Sequence, residues 1–168
     1  MTCRTIYIAQ GEEAVGATED TVISTILGSC ISFCLWDPGR RIGGMNHLLL
    51  PDLQHSGGAM NTSGVIAIER LINKTVRLGA ERSDLRAKLF GDSSMLSGMT
   101  DIGARNAGFG RNYLAAEGIP CDNESLGGVK ARKLRFWPAS GSVWQKFVED
   151  APELVPASRI AENDVELF

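Results

Sequence analysis

Between Thr21 and Leu50 two breaks divide a β-branched, apolar stretch into runs too short for helices. Gly28-Ser29 ends the first run, Thr21 to Leu27, and Asp37-Pro38-Gly39 turns the chain after the second, Cys30 to Trp36. The third, Arg41 to Leu50, is closed by Pro51. Runs of strand length joined by a Pro-Gly turn predict an antiparallel hairpin built onto a preceding strand. The Gly43-Gly44 pair inside the third run predicts a bulge or a close approach by another part of the chain.

Elsewhere the period changes. Ile6 to Ala9 reads as a short strand, followed by a polar loop with Gly11, Gly16, Glu12 and Glu13. From Asn61 to Leu78 apolar residues recur at threes and fours and Gly79 supplies a stop, which predicts a helix. Ala87 to Phe90 reads as a short buried strand, with a loop over Gly91 to Gly98. A second helix is predicted from Asp101, as N-cap, to Glu117, before Gly118-Ile119-Pro120. Lys130 to Phe136 and Ser142 to Phe147 read as a hairpin. The expectation is an α+β fold, one layered domain over residues 1–149.

Residues 147–168 hold six acids against Arg159 alone, so the other 146 residues carry about +2 of the chain's net −3. With Pro152, Pro156 and little apolar period, residues 150–168 read as an acidic, mobile tail. Its end, Val165, Leu167 and Phe168, is apolar, which suits either capture by a partner's groove or folding back onto the domain. A nearly neutral body argues against nucleic-acid binding. No apolar run approaches the ~18–20 residues of a membrane span, so no membrane insertion is expected. The first residues lack a signal peptide's apolar core, and the chain reads as cytoplasmic.

Four cysteines in such a chain are expected to stay reduced. There is no Cys-x-x-Cys pair and there are two histidines, so no metal site is expected. Cys3, Cys34 and Cys121 read as buried small hydrophobes. Cys30 differs. It follows a Gly-Ser break that leaves room for backbone donors, and the hairpin turn places it about as far from Gly39 as His47. A cysteine nucleophile needs such a base and such donors. Spacing alone leaves the alternative open, a core cysteine and a satisfied histidine. His55 reads as solvated, Gly108-Phe109-Gly110 as part of a helix, and Lys130, Arg132 and Lys133 as a solvated hairpin edge.

At these residues the chain resembles the CheD family of chemoreceptor glutamine deamidases. The resemblance is densest over Leu27-Gly28-Ser29-Cys30 through Pro38 and over Ile42-Gly43-Gly44-Met45-Asn46-His47 through Pro51. It continues through Lys88-Leu89-Phe90-Gly91, Ile102 to Asn106, Gly127-Gly128, Arg132-Lys133 and Gly141-Ser142-Val143. It implies sheets flanked by helices, as in deamidases of the cytotoxic necrotizing factor type. It implies Cys30 as nucleophile, His47 as base, and a hydroxyl a few residues before the cysteine that orients the histidine. Ungapped spacing favours Ser24 and residue type favours Thr25. It further implies no cofactor, methyl-accepting chemotaxis receptors as substrates and a CheC-type phosphatase as a possible partner. Receptor methylesterase activity or a non-catalytic adaptor role are its alternatives. Asn46, Asp92-Ser93 and Ala131 depart from the family pattern. Residues 51–58 and 92–98 are the expected rim of a substrate groove.

Overall fold

The computed structural model describes residues 2–49, 62–93, 100–149 and 165–168. Ten strands and two long helices follow in the order β1 (Arg4–Tyr7), β2 (Glu13–Gly16), β3 (Thr21–Leu27), β4 (Ile31–Asp37), β5 (Ile42–Asn46), α1 (Thr62–Arg77), β6 (Arg86–Gly91), α2 (Thr100–Ala116), β7 (Cys121–Leu126), β8 (Ala131–Trp137), β9 (Ser142–Val148) and β10 (Val165–Leu167). They make two five-stranded sheets, β1-β3-β8-β9-β10 and β2-β5-β4-β6-β7. The α+β expectation holds.

Alternation along the strands decides what lies between the sheets. Ile23 and Leu27 of β3, with Leu134, Phe136 and Val143, meet Cys34, Trp36, Met45 and Phe90 of the second sheet. The other face of β4, Ile31, Phe33 and Leu35, packs on Ile68, Leu71 and Ile72 of α1 and on Tyr113 and Leu114 of α2. β4 is therefore buried on both faces, which is why its sequence runs apolar rather than alternating. Both helices contact strands of the second sheet, so among the described residues they cover one outer face of the pair of sheets.

The Gly43-Gly44 pair is a close approach. A Cβ on Gly43 would lie 2.6 Å from the Leu35 carbonyl, and one on Gly44 2.9 Å from a Leu71 methyl of α1. Gly110 plays the same part in α2, beneath Ile31, Leu89 and Phe33. Two strands were not foreseen, and of the two readings of the tail end the structure takes the fold-back. β2 lies in the expected polar loop and pairs with β5, while β7 pairs parallel with β6. Val165–Leu167, placed by the sequence in a separate tail, pair antiparallel with β9. Phe168 meets the Phe90 ring edge-on at 5.4 Å. The apolar end has folded back because Phe90, on the face of β6 that looks toward the first sheet, offers the Phe168 ring a surface to bury. Residues 150–164 lie outside the described residues.

Candidate active site

A cleft of about 630 Å³ opens where the β1–β3 edge of the first sheet meets the start of β4 and the end of β5. Cys30, His47 and Thr25 line it together, with Gln10, Ile26, Tyr7 and Lys133 among the surrounding residues.

His47 is held from two sides. The β4–β5 register pairs Cys34 with Met45, and the ladder resumes at Ile31–Leu48. Between them the Asn46 side chain accepts the Phe33 N–H at 2.9 Å. That diversion frees the His47 backbone, whose N–H donates to Glu12 and whose carbonyl accepts from Gly11, at 3.0 and 2.8 Å. Its ring is fixed by Thr25, whose Oγ1 lies 2.7 Å from Nδ1. Thr25 has one hydroxyl proton and gives it to the Ile8 carbonyl at 2.8 Å. The Nδ1–H must therefore be the donor to Oγ1, and Nε2 is left as an unprotonated acceptor. Burial holds the imidazole below its ordinary pKa, an effect the Glu12 charge partly offsets. The ring is a neutral base near neutral pH.

Ser24, the other hydroxyl that spacing allowed, also borders the cleft, but its hydroxyl donates to the Leu134 carbonyl at 2.8 Å and not to the imidazole. The strand period separates the two: Thr25 shares a face with Ile23 and Leu27, and that face looks inward.

Cys30 precedes β4 and is 7% exposed. Burial pushes its thiol up to about 11. With the thiol pushed up and the imidazole held down, both groups rest neutral. The backbone around the sulfur is clamped through its carbonyls: Asp92 N–H donates to Cys30 at 2.9 Å and Ser93 N–H to Gly28 at 3.0 Å. Gly91 makes that clamp possible, since with its φ of 123° a Cβ there would stand 2.1 Å from the Cys30 carbonyl oxygen. The thiol itself faces Gln10, with Oε1 at 3.9 Å.

The clamp rests on Arg132, read from the sequence as a solvated edge residue and found 1% exposed. Its guanidinium donates to Ser93 Oγ at 3.2 Å, to Ser125 and to the Gly127 carbonyl. Burial lowers its pKa to about 10. The same burial raises the neighbouring Asp92 carboxyl to about 6, a shift that the Ala107 N–H and Arg132 limit. Asp92-Ser93, a departure from the family pattern, thus supplies both backbone donors and the Arg132 acceptor. Two further expectations change. Cys3 and Cys121 are exposed, because they adjoin the edge strands β1 and β7, and Cys34 alone of the three is buried. His55 and the rim residues 51–58 and 94–98 lie outside the described residues.

Residues 49–147 match the model of the family described as CheD chemotactic sensory transduction. The chain is 48% identical over 159 residues to a probable chemoreceptor glutamine deamidase CheD of Acidiphilium cryptum, covering 92% of this chain and 84% of that protein. It is 44% identical over 174 residues to the protein of that name from Caulobacter vibrioides, covering 97% and 92%. The Agrobacterium fabrum protein of the same name is 40% identical over 173 residues, covering 97% and 96%. These spans leave too few residues outside them to omit Cys30 and His47. Among solved structures, the hypothetical protein YfiH of Bacillus licheniformis aligns with a TM-score of 0.46 at 13% identity, covering 74% of this chain and 60% of that one.

Proposed function

The chain belongs to the CheD family, and from that premise we propose that it hydrolyses chemoreceptor glutamine side chains to glutamate with Cys30 as nucleophile. The observation that carries the reading is the Thr25–His47 hydrogen bond, which supports His47 as a base with Nε2 available in the cleft that holds Cys30. His47 Nε2 takes the thiol proton as Sγ adds to the carboxamide carbon, giving a tetrahedral adduct with an oxyanion. The imidazolium returns that proton to the leaving nitrogen, the C–N bond breaks and ammonia departs. Water, deprotonated by His47, then adds to the thioester. The C–S bond breaks, Cys30 recovers its proton and the product is glutamate.

Both reacting groups rest neutral, so charge develops as the substrate carbonyl enters and excludes water from the cleft. No helix among the described residues is long and apolar enough to cross a membrane, consistent with action on the cytoplasmic helices of methyl-accepting receptors.

The test is the mass of a receptor cytoplasmic fragment after incubation, which rises by about one unit per carboxamide converted to carboxylate. Wild type and Cys34→Ala should produce the rise and Cys30→Ala should not. Equal conversion by Cys30→Ala would remove the proposed nucleophile.

A further inference from the structure

The polar segment between β1 and β2 has no assigned part in the reaction, yet it touches both reacting residues. Ala9 to Glu12 is a type II turn: Glu12 N–H donates to the Ala9 carbonyl at 3.0 Å, and Gly11 takes the φ of 85° that its third position requires. Glu12 Oε2 also accepts the Ala9 N–H at 2.7 Å. Gly11 and Glu12 hold both backbone groups of His47, and Ile8, just before the turn, holds the Thr25 hydroxyl that orients the imidazole. Gln10 occupies the second position of this turn. Its backbone is thereby fixed relative to His47, and its carboxamide faces Cys30 Sγ.

We propose that Gln10 is a catalytic residue whose side-chain amide N–H donates to the oxyanion formed when Cys30 adds to the substrate carboxamide. In the resting cleft the Gln10 oxygen accepts from the thiol, since the thiol is the group with a proton to give. Once that proton is on His47, the cleft holds a sulfur bonded to carbon and, two bonds from it, an oxygen carrying negative charge. An acceptor facing that oxygen opposes the reaction. The amide presents its N–H instead by turning about its terminal torsion, which is broad and roughly two-fold. Gln10 is exposed at the cleft mouth, so its side chain can make this turn while the backbone stays pinned. A donor that meets the oxygen only once its charge forms stabilises the transition state more than the ground state. A side-chain amide in this role contributes about 10²–10³ to kcat in other acyl-transfer sites.

The inference rests on Cys30 being the nucleophile, and the experiment separates the two. Wild type, Cys30→Ala, Gln10→Ala and Gln10→Glu are assayed for conversion of a receptor cytoplasmic fragment and, separately, for alkylation of Cys30 by iodoacetamide, a substitution at carbon that forms no oxyanion. Expected is a loss of about 10²-fold or more in kcat for Gln10→Ala. KM should stay within about three-fold, and so should alkylation. Gln10→Glu should be at least as impaired, because a carboxylate cannot donate. A kcat within three-fold of wild type in Gln10→Ala overturns the proposal. So does activity retained by Gln10→Glu and lost by Gln10→Ala, which would make Gln10 an acceptor. Parallel loss of conversion and alkylation also overturns it, by moving the effect to the thiol. Full activity in Cys30→Ala would instead refute the underlying reading and leave Gln10 with no oxyanion to serve.

Discussion

Replacing Thr25 by valine keeps the shape of the side chain and deletes its one hydroxyl. Two buried groups then lose their partner, the Ile8 carbonyl and the His47 Nδ1–H. An unsatisfied buried polar group costs about 1–3 kcal/mol. Water entering from the cleft can satisfy part of that cost, so the expected loss of stability is about 2–4 kcal/mol for the pair. Activity should fall by more than stability explains. Without Thr25 nothing fixes the proton on Nδ1, and the ring is free to rotate or to carry its proton on Nε2, where it is no base toward Cys30. Losing the partner that orients a functional imidazole costs about 10–100-fold. Urea unfolding at pH 7.5 reads the first effect and receptor-fragment mass after fixed incubation the second, with the protein fully folded. Thr25→Ser retains the hydroxyl and should recover most of both. Ser24→Ala, which loses one bond to Leu134, should cost about 1 kcal/mol and spare turnover. Turnover within three-fold of wild type in Thr25→Val would refute the tautomer argument, as would a Ser24→Ala variant equally impaired.

Because burial holds the Cys30 thiol near 11, its alkylation by iodoacetamide should be slow at neutral pH and still rising at pH 10; a plateau reached below pH 7 would instead show a thiolate–imidazolium pair. Asp92→Asn should stabilise the protein by about 1–2 kcal/mol at pH 7.5, since asparagine tolerates the φ of 69° and removes a charge that burial opposes. The folded carboxyl, near 6, binds its proton more tightly than the unfolded one. Its favourable contribution is therefore present at low pH and is lost as pH rises through 6, and the variant's advantage should shrink below pH 6 in parallel urea titrations. Deleting Asn163 to Phe168 removes β10 and the ring that covers Phe90, and should cost about 2 kcal/mol, or roughly 4–8 °C in Tm. An unchanged Tm would mean that this contact adds nothing to the fold.

The parts of the fold legible in the sequence are those buried on at least one face. β3 is bounded as read, and β4 and α1 differ by a residue or so at each end, because their apolar spacing is what packs them. β2 and β7 escaped because they are edge strands with little apolar area. Glu13 in β2 pairs with Arg70 and Lys74 of α1, and the polar run Cys121 to Glu124 lies exposed along β6. Their stability comes from backbone pairing with residues distant in sequence, which leaves no periodic trace. In the site, Cys30 and His47 were legible from a break and a turn. Thr25 could have been separated from Ser24 by alternation with Ile23 and Leu27. Gln10 carried a weaker signal, its place just before a glycine at the end of a strand. Arg132 carried none, since nothing local in Lys130 to Lys133 says which cation turns inward.

The side chains of the two residues proposed to react are supported separately, although their backbones share one ladder. His47 is fixed by the turn at Ala9 to Glu12 and by Thr25, all on the β1–β3 side of the cleft. Cys30 is fixed by Asp92 and Ser93, which follow β6 of the other sheet. Their backbones meet next door, where Ile31 and Leu48 exchange both hydrogen bonds at 2.9 and 2.8 Å, so the distance between sulfur and imidazole is set by the β4–β5 register. A pair held that way can rest unionised, because no short contact forces the proton across, while both groups stay aimed at the same volume. For a buried thiol the arrangement limits reaction with small oxidants, which need the thiolate. In the proposed reaction nucleophilic character then arises when a carboxamide enters the cleft, strengthens the local electrostatics by displacing water and accepts the sulfur as the proton leaves for Nε2.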